Sequence, residues 1–372
     1  MSKIWFGLLA AGVVLGAFAA LTVVSRGLGV YNLNDVTFWA LPMSGYLFFA
    51  LTAAGLTLLS SLPSIFGLKE YYPFAKRAAL LAFATLLVGI MCKALDLGPM
   101  TTLMNTVWIG LSPNPSSPIW WMAVLYGIYL TFVVIKFYFL NKGEWHSSWS
   151  WTAGLLALGL MIMSYTALSI VFGTADARPA FFGHFTALYF AVTALASGMA
   201  AIVLASFVQS AIRGGMSFQE EQAFDKVAKL FAIILALALF TFLLRHIIGY
   251  TSLQADFLGF RHIAGTGIYR TEMLIGLVIP LILMLIPAVR KSAAGKVAAS
   301  VLALTGMFAG RLVMLLSAQV KPIGVMTENR PEIVTYFPSL YEWGIIILAL
   351  SLCLLIYSLG VKFLKLEAAP QS

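Results

Sequence analysis

RAALLAFATLLVGIMCKALDLGPM, residues 77 to 100, runs apolar from Ala78 to Cys92 with Thr85 as its one hydroxyl. About 20 such residues, rising 1.5 Å each, match the hydrocarbon core of a bilayer, so the stretch predicts a membrane helix over 77–97. Lys93 and Asp96 then sit one turn apart on one face of its end. Charge is costly in lipid, so something should need this pair.

The rest of the chain repeats the pattern. Windows of similar length, bounded by polar residues or by Pro and Gly, predict further spans near 4–24, 38–61, 118–140, 150–173, 185–211, 227–249, 269–288, 295–317 and 342–362. The expected fold is therefore an all-α integral membrane protein with about ten transmembrane helices. At 61% hydrophobic, 10% charged and a mean hydropathy of +0.95, the 372 residues do not suit a soluble domain. The first window has no small-residue cleavage site after it and reads as a retained helix, not a signal peptide. Small-residue stripes around a glycine recur in FALTAAGLTLLSS (49–61) and TALASGMAAIVLAS (193–206). Such stripes let membrane helices approach closely. If they mark a repeat, spans 2–5 (38–173) and 6–9 (185–317) are two four-helix bundles flanked by spans 1 and 10.

The net charge of +9 is spread over short loops without a basic block, which speaks for topology and against nucleic acid. Thirteen Lys and Arg residues fall on the side of the termini, six on the opposite side, and Lys93, Lys136, Arg245 and Arg311 within spans. By the positive-inside rule both termini face the cytoplasm, and the long loops 97–118, 250–268 and 318–341 face outward as a platform for a partner.

Several chemistries are excluded by what is missing. Cys92 and Cys353 both lie in apolar spans, so the chain builds neither a structural disulfide nor a cysteine-ligated iron-sulfur cluster. His146, His184 and His262 fall in or near loops. Only His246 lies within a span, so the facing pair that holds a b-type haem is lacking. No metal-ligand spacing, phosphate loop, dinucleotide fingerprint or nucleophile elbow is present.

What remains is chemistry on a bound, diffusible molecule. Asp96 reads as a proton-accepting carboxylate at a site for a small lipid-soluble molecule; alternatively it caps the helix end before Gly98-Pro99 while Lys93 snorkels outward. Tyr165 in span five offers a phenol that can donate to a carbonyl oxygen and stack on a ring, though interfacial tyrosines are common. Tyr126 and Tyr129 on span four, and Trp120 and Trp121 at its outer end, read first as belt or packing residues, with Trp120 and Tyr129 as further ring-contact candidates. Arg245, Glu272 and Arg311 read as a structural ion-pair network, with a hydrated proton path as the alternative. Glu342 reads as a carboxylate at a helix N-terminus.

The order of DLGPM (96–100), SPIWW (117–121) and the Arg178-Pro179 entry to span six resembles the NrfD and PsrC family of quinone-interacting membrane subunits. FVQSAIRGG (207–215), Glu272, Arg311 in GRLVML and YFPSLYE (336–342) resemble its ten-helix, HybB-like branch. The resemblance implies a prokaryotic inner-membrane subunit, without haem or iron-sulfur cluster of its own, that exchanges electrons and protons with menaquinone or ubiquinone near the outer face. It also implies an external ferredoxin-like iron-sulfur subunit serving a molybdopterin enzyme, a hydrogenase or a multihaem cytochrome. Asp96 matches the family's acidic residue after span three, and Tyr165 its polar quinone contact on span five. The family's arginine after Asp-Leu-Gly is replaced by Pro99, and at the start of span two Tyr46 or Ser44 stands for the relatives' polar contact. A secondary transporter and a purely structural anchor are the rival readings. The first lacks a pair of broken spans at matching positions.

Overall fold

The computed structural model describes residues 3–145, 147–213, 215–253, 257–324, 331–364 and 366. His146, Arg330 and Lys365, used in the sequence reading, lie outside them. Every regular element among the described residues is helical. In chain order these are α1 (Lys3–Arg26), α2 (Leu41–Ser64), α3 (Tyr72–Asp96), α4 (Met100–Leu111), α5 (Pro118–Lys142), α6 (Ser148–Gly173), α7 (Phe185–Arg213) and α8 (Phe218–Thr251). There follow α9 (Leu258–Ala264), α10 (Gly267–Arg270), a π-helical stretch (Thr271–Val278), α11 (Ile279–Leu285), α12 (Pro287–Lys291), α13 (Ala293–Gln319) and α14 (Leu340–Phe363). Among the described residues ten segments are long and apolar enough to cross a membrane, one for each predicted window, with α10, the π stretch and α11 forming the eighth. The chain is a multi-pass membrane protein.

Its centre is α2. Nearly every side chain of this helix is buried, although Thr and Ser recur along it. The hydroxyls of Thr52, Thr57 and Ser61 donate to carbonyl oxygens one turn back, at 2.7 Å each, so they enter the apolar interior already bonded. The two small-residue stripes of the sequence turn out to be one contact. A Cβ on Gly55 of α2 would lie 2.1 Å from the Ala194 carbonyl oxygen of α7, and one on Gly198 would lie 2.6 Å from Gly55. Only glycine allows this approach, and dispersion between backbones then replaces the hydrophobic drive that lipid does not supply. Around α2 and α7 stand α3, α6 and α13, with α5 against α6 and α14 against α3. Helix α1 rides on α14 and turns Leu8, Leu15 and Phe18 outward.

Ion pairs tie the ends on the side of the termini: Arg77 Nη2 with Glu220 Oε1 at 2.6 Å and Lys296 Nζ with Asp225 Oδ1 at 2.5 Å. On the far side polar side chains hold loops. Gln319 accepts from the Phe38 and Trp39 amides and donates to the Trp39 carbonyl, which pins the entry to α2. Arg178, whose guanidinium burial pushes below its usual range, donates to the Ala318 carbonyl at 2.7 Å and covers the Phe38 ring. Glu342 does open α14 as an N-terminal carboxylate, in a reciprocal cap with Ser339. It also accepts from the Tyr336 hydroxyl and the Asn32 amide. Tyr336 keeps its proton, since burial and this carboxylate push its phenol well above the usual range.

Candidate functional site

DLGPM is a stop and a restart. Helix α3 ends at Asp96, Gly98 takes φ +90° to turn the chain, and Pro99 leads into α4. The segment 97–118, expected as an open loop, is thus largely a helix laid over the far end of the bundle. Leu103, Thr106, Val107 and Gly110, at helical spacing, turn one face of α4 onto a cavity of about 430 Å³. Ile90, Lys93 and Ala94 of α3, Tyr46 of α2, and Met122 and Tyr126 of α5 supply the other walls. Trp120 staples the cover, its indole N–H donating to the Gly110 carbonyl at 3.0 Å.

The polar groups of this apolar chamber are few. Lys93 Nζ lies on the wall and pairs with Asp96 Oδ2 at 2.9 Å. Asp96 stands behind Lys93, buried, and its Oδ1 has no hydrogen-bond partner. The Tyr46 hydroxyl donates to the Met122 sulfur at 2.9 Å, a weak acceptor that a better one can displace. The Tyr126 hydroxyl is buried beside that of Tyr46 and makes no close hydrogen bond. Ser44, the alternative to Tyr46, spends its hydroxyl on the Ala40 carbonyl. Next to the pair, Tyr31 donates to the Leu95 carbonyl at 3.3 Å, and burial with the Asp96 and Glu342 charges holds its phenol protonated. A flat ring with carbonyl oxygens suits such a place: apolar walls for the ring, and Lys93, Tyr46 and Tyr126 as donors.

Not all the predicted residues meet here. Tyr129 lies deeper in α5, fully buried, with its hydroxyl 2.7 Å from Thr57 Oγ1. Tyr165 is half-buried and lines a separate hollow of about 130 Å³ with Ala54, Leu58 and Met161. In the second half Arg245 Nη2 pairs with Glu272 Oε2 at 2.7 Å, while Tyr189 donates to Glu272 Oε1 at 2.6 Å. Arg311 joins by another route: it donates to Thr193 Oγ1 at 2.7 Å and its guanidinium lies 5.5 Å from the centres of the Tyr189 and Phe190 rings. Glu272 sits on the π-helical stretch, where the widened turn and the Gly276–Gly306 contact bring α13 close.

Two residues of interest are missed by sequence reasoning. Tyr126 reads there as a belt or packing aromatic, and Lys136 only as a charge within a span. Lys136 is wholly buried, its Nζ donating to Ser60 Oγ at 2.8 Å and Ser61 Oγ at 2.9 Å. Their signal lay in the spacing of 122, 126, 129, 133, 136 and 140, which marks one inward seam of α5.

Comparison with known proteins agrees with this architecture. The integral membrane subunit of the Hdr-like menaquinol oxidoreductase of Archaeoglobus fulgidus is 25% identical over 379 aligned positions, covering 96% of this chain and 92% of that one. A selenate reductase subunit of Mesobacillus selenatarsenatis is 23% identical over 409 positions, covering 97% and 94%. The family model for polysulphide reductase, NrfD, matches residues 29–323, from the loop before α2 to the end of α13. With that match spanning the cavity and the paired arginines alike, the chain belongs to the NrfD polysulphide reductase family.

Proposed function

We propose that the chain is the membrane anchor and quinone-reactive subunit of a respiratory oxidoreductase complex. The observation that carries this reading is the apolar cavity under α4, with Lys93, Tyr46 and Tyr126 as its donors. Quinone is its substrate. Lys93 Nζ and the Tyr126 hydroxyl hydrogen-bond the carbonyl oxygens, and Asp96, through its unpaired Oδ1, holds or releases the proton that accompanies electron transfer. The similarity to a menaquinol oxidoreductase subunit favours menaquinone over ubiquinone.

The excess of Lys and Arg on the termini side supports a cytoplasmic placement of that side, with the cavity near the outer face of the inner membrane. Its electrons then pass to and from a ferredoxin-like iron-sulfur subunit docked there. That subunit in turn serves a catalytic partner: a molybdopterin enzyme, a hydrogenase or a multihaem cytochrome. The relatives' names, as subunits of oxidoreductases, support this arrangement.

The test is to tag the chain, solubilise native membranes gently, identify co-purifying proteins by mass spectrometry and extract bound quinone. The expected result is an iron-sulfur subunit with a redox enzyme, and quinone recovered with the parent complex but depleted in Lys93→Met. A chain recovered alone and free of quinone overturns the reading and favours a transporter.

A further inference from the structure

The inward seam of α5 carries a row of polar groups that the quinone cavity alone does not require. It begins in the cavity with Tyr126, whose hydroxyl lies beside that of Tyr46 and makes no close hydrogen bond. One turn deeper, the Tyr129 hydroxyl meets Thr57 Oγ1 of α2 at 2.7 Å. Two turns further, Lys136 Nζ meets Ser60 Oγ and Ser61 Oγ, and both serines donate to the Thr57 carbonyl, at 2.9 and 2.7 Å. Ser64, one turn beyond Ser60, ends α2 on the side of the termini and donates to the Ser60 carbonyl. Apolar residues at these positions would pack the same helices without burying a lysine in a membrane.

Lys136 is the unusual member. It forms no ion pair among the described residues, and its polar partners are two hydroxyls. A serine hydroxyl both donates and accepts. The same pocket therefore serves an ammonium, which donates to both serines, and a neutral amine, whose lone pair accepts from one of them once that hydroxyl turns away from the Thr57 carbonyl. Hydroxyls at Thr57 and Tyr129 pass a proton by turning, and only the lysine can store one. The two breaks in the row, Ser60 to Thr57 and Tyr129 to Tyr126, each amount to about one helical turn, roughly 5 Å, which the two hydrogen bonds of one water molecule span.

We propose that Lys136, with Ser60, Ser61, Thr57 and Tyr129, forms the proton route between the quinone cavity and the termini side of the membrane. The route rests on the quinone reading given above. Each quinol oxidised yields quinone, two electrons and two protons; the electrons go to the iron-sulfur centre of the external partner and the protons leave along the row. Reduction runs the same balance backwards. Because electrons and protons enter from opposite faces, turnover moves charge across the bilayer.

The test uses the tagged complex from native membranes, reconstituted in proteoliposomes, with a short-tailed menaquinol, a redox dye serving the partner, and a voltage-sensitive dye. Lys136→Met and Lys136→Arg are expected to slow turnover about a hundredfold and abolish the voltage signal, with the quinol KM within about twofold of the parent. Arginine keeps the charge and its hydrogen bonds but cannot release the proton. Parental turnover and voltage in Lys136→Met, or their rescue by Lys136→Arg, overturn the route and leave a structural cation. Where the lysine variants fail to assemble, Tyr129→Phe, which removes one oxygen, carries the same two outcomes. A parent complex without quinol-dependent turnover overturns instead the quinone reading, and this route falls with it.

Discussion

The second half of the bundle buries its carboxylate within a knot of cations and rings, and the first half buries its own beside an apolar cavity. Glu272 has both oxygens engaged, by Arg245 and Tyr189, and the Arg245 guanidinium stacks 4.6 Å from the centre of the Tyr189 ring. Around the cavity Asp96 Oδ1 has no partner, and the Tyr46 hydroxyl, beside that of Tyr126, donates to a sulfur. Losing the carboxylate would strand two cations in a medium that cannot solvate them, since Nε and Nη1 of both Arg245 and Arg311 are already without hydrogen-bond partners. An unsaturated donor gains from an incoming acceptor only where one can reach it. The difference is access: Lys93, Tyr46 and Tyr126 line a cavity, and Arg245 and Arg311 line neither hollow described above.

The largest effect should come from breaking the knot. Glu272→Gln leaves Arg245 and Arg311 without a counter-charge and is expected to cost about 3–5 kcal/mol, read as lost assembly or a sharply lower melting temperature in detergent. The double variant Arg245→Met with Glu272→Gln should recover part of that loss. A Glu272→Gln complex that melts like its parent but fails in turnover reverses the comparison and makes the second half the proton-handling one.

On the cavity side the order of symptoms inverts. Asp96→Asn keeps an oxygen for Lys93 but cannot carry a proton, and should slow quinol turnover about a hundredfold while melting within about 1 kcal/mol of the parent. Unchanged turnover removes Asp96 from the chemistry. Lys93→Met keeps the stem length and loses one donor, with an expected fall in kcat/KM of roughly tenfold, shared with a weaker recovery of bound quinone. A loss confined to assembly in both variants supports the purely structural anchor.

The sequence made some of this contrast legible. Ten runs of apolar residues predicted the ten crossings, and the spacing of Lys93 and Asp96 placed them on one face. What it did not reveal are the properties that depend on rotation about helix axes. Tyr165 and Tyr46 both read as ring contacts, yet they open onto different hollows, because hydropathy records depth and length but not azimuth. The stripes around Gly55 and Gly198 offered a repeat as one reading, and what the sequence did not show is that they pack on each other. Helix α4 escaped because 12 residues are too few for a crossing, although Pro99 at its start and the 103, 106, 107, 110 spacing were both present. Tyr126 and Lys136 share an inward seam that shows only when α5 is read as a stripe and not residue by residue.

The smallest expected effect sharpens the comparison most. Tyr126→Phe removes a buried hydroxyl that makes no close hydrogen bond in the protein, so stability should hold or rise slightly. If the hydroxyl serves a quinone oxygen, the same change should raise the quinol KM by about fivefold, the worth of one net hydrogen bond of about 1 kcal/mol, and leave kcat nearly unchanged. The matching change in the other half, Tyr189→Phe, removes a donor to Glu272 and should lower stability without touching KM. One oxygen atom is deleted in each case, from a tyrosine buried on a spanning helix. Opposite responses in melting and KM would mean that an unpaired hydroxyl marks where a ligand sits; equal ones would mean that both tyrosines only pack.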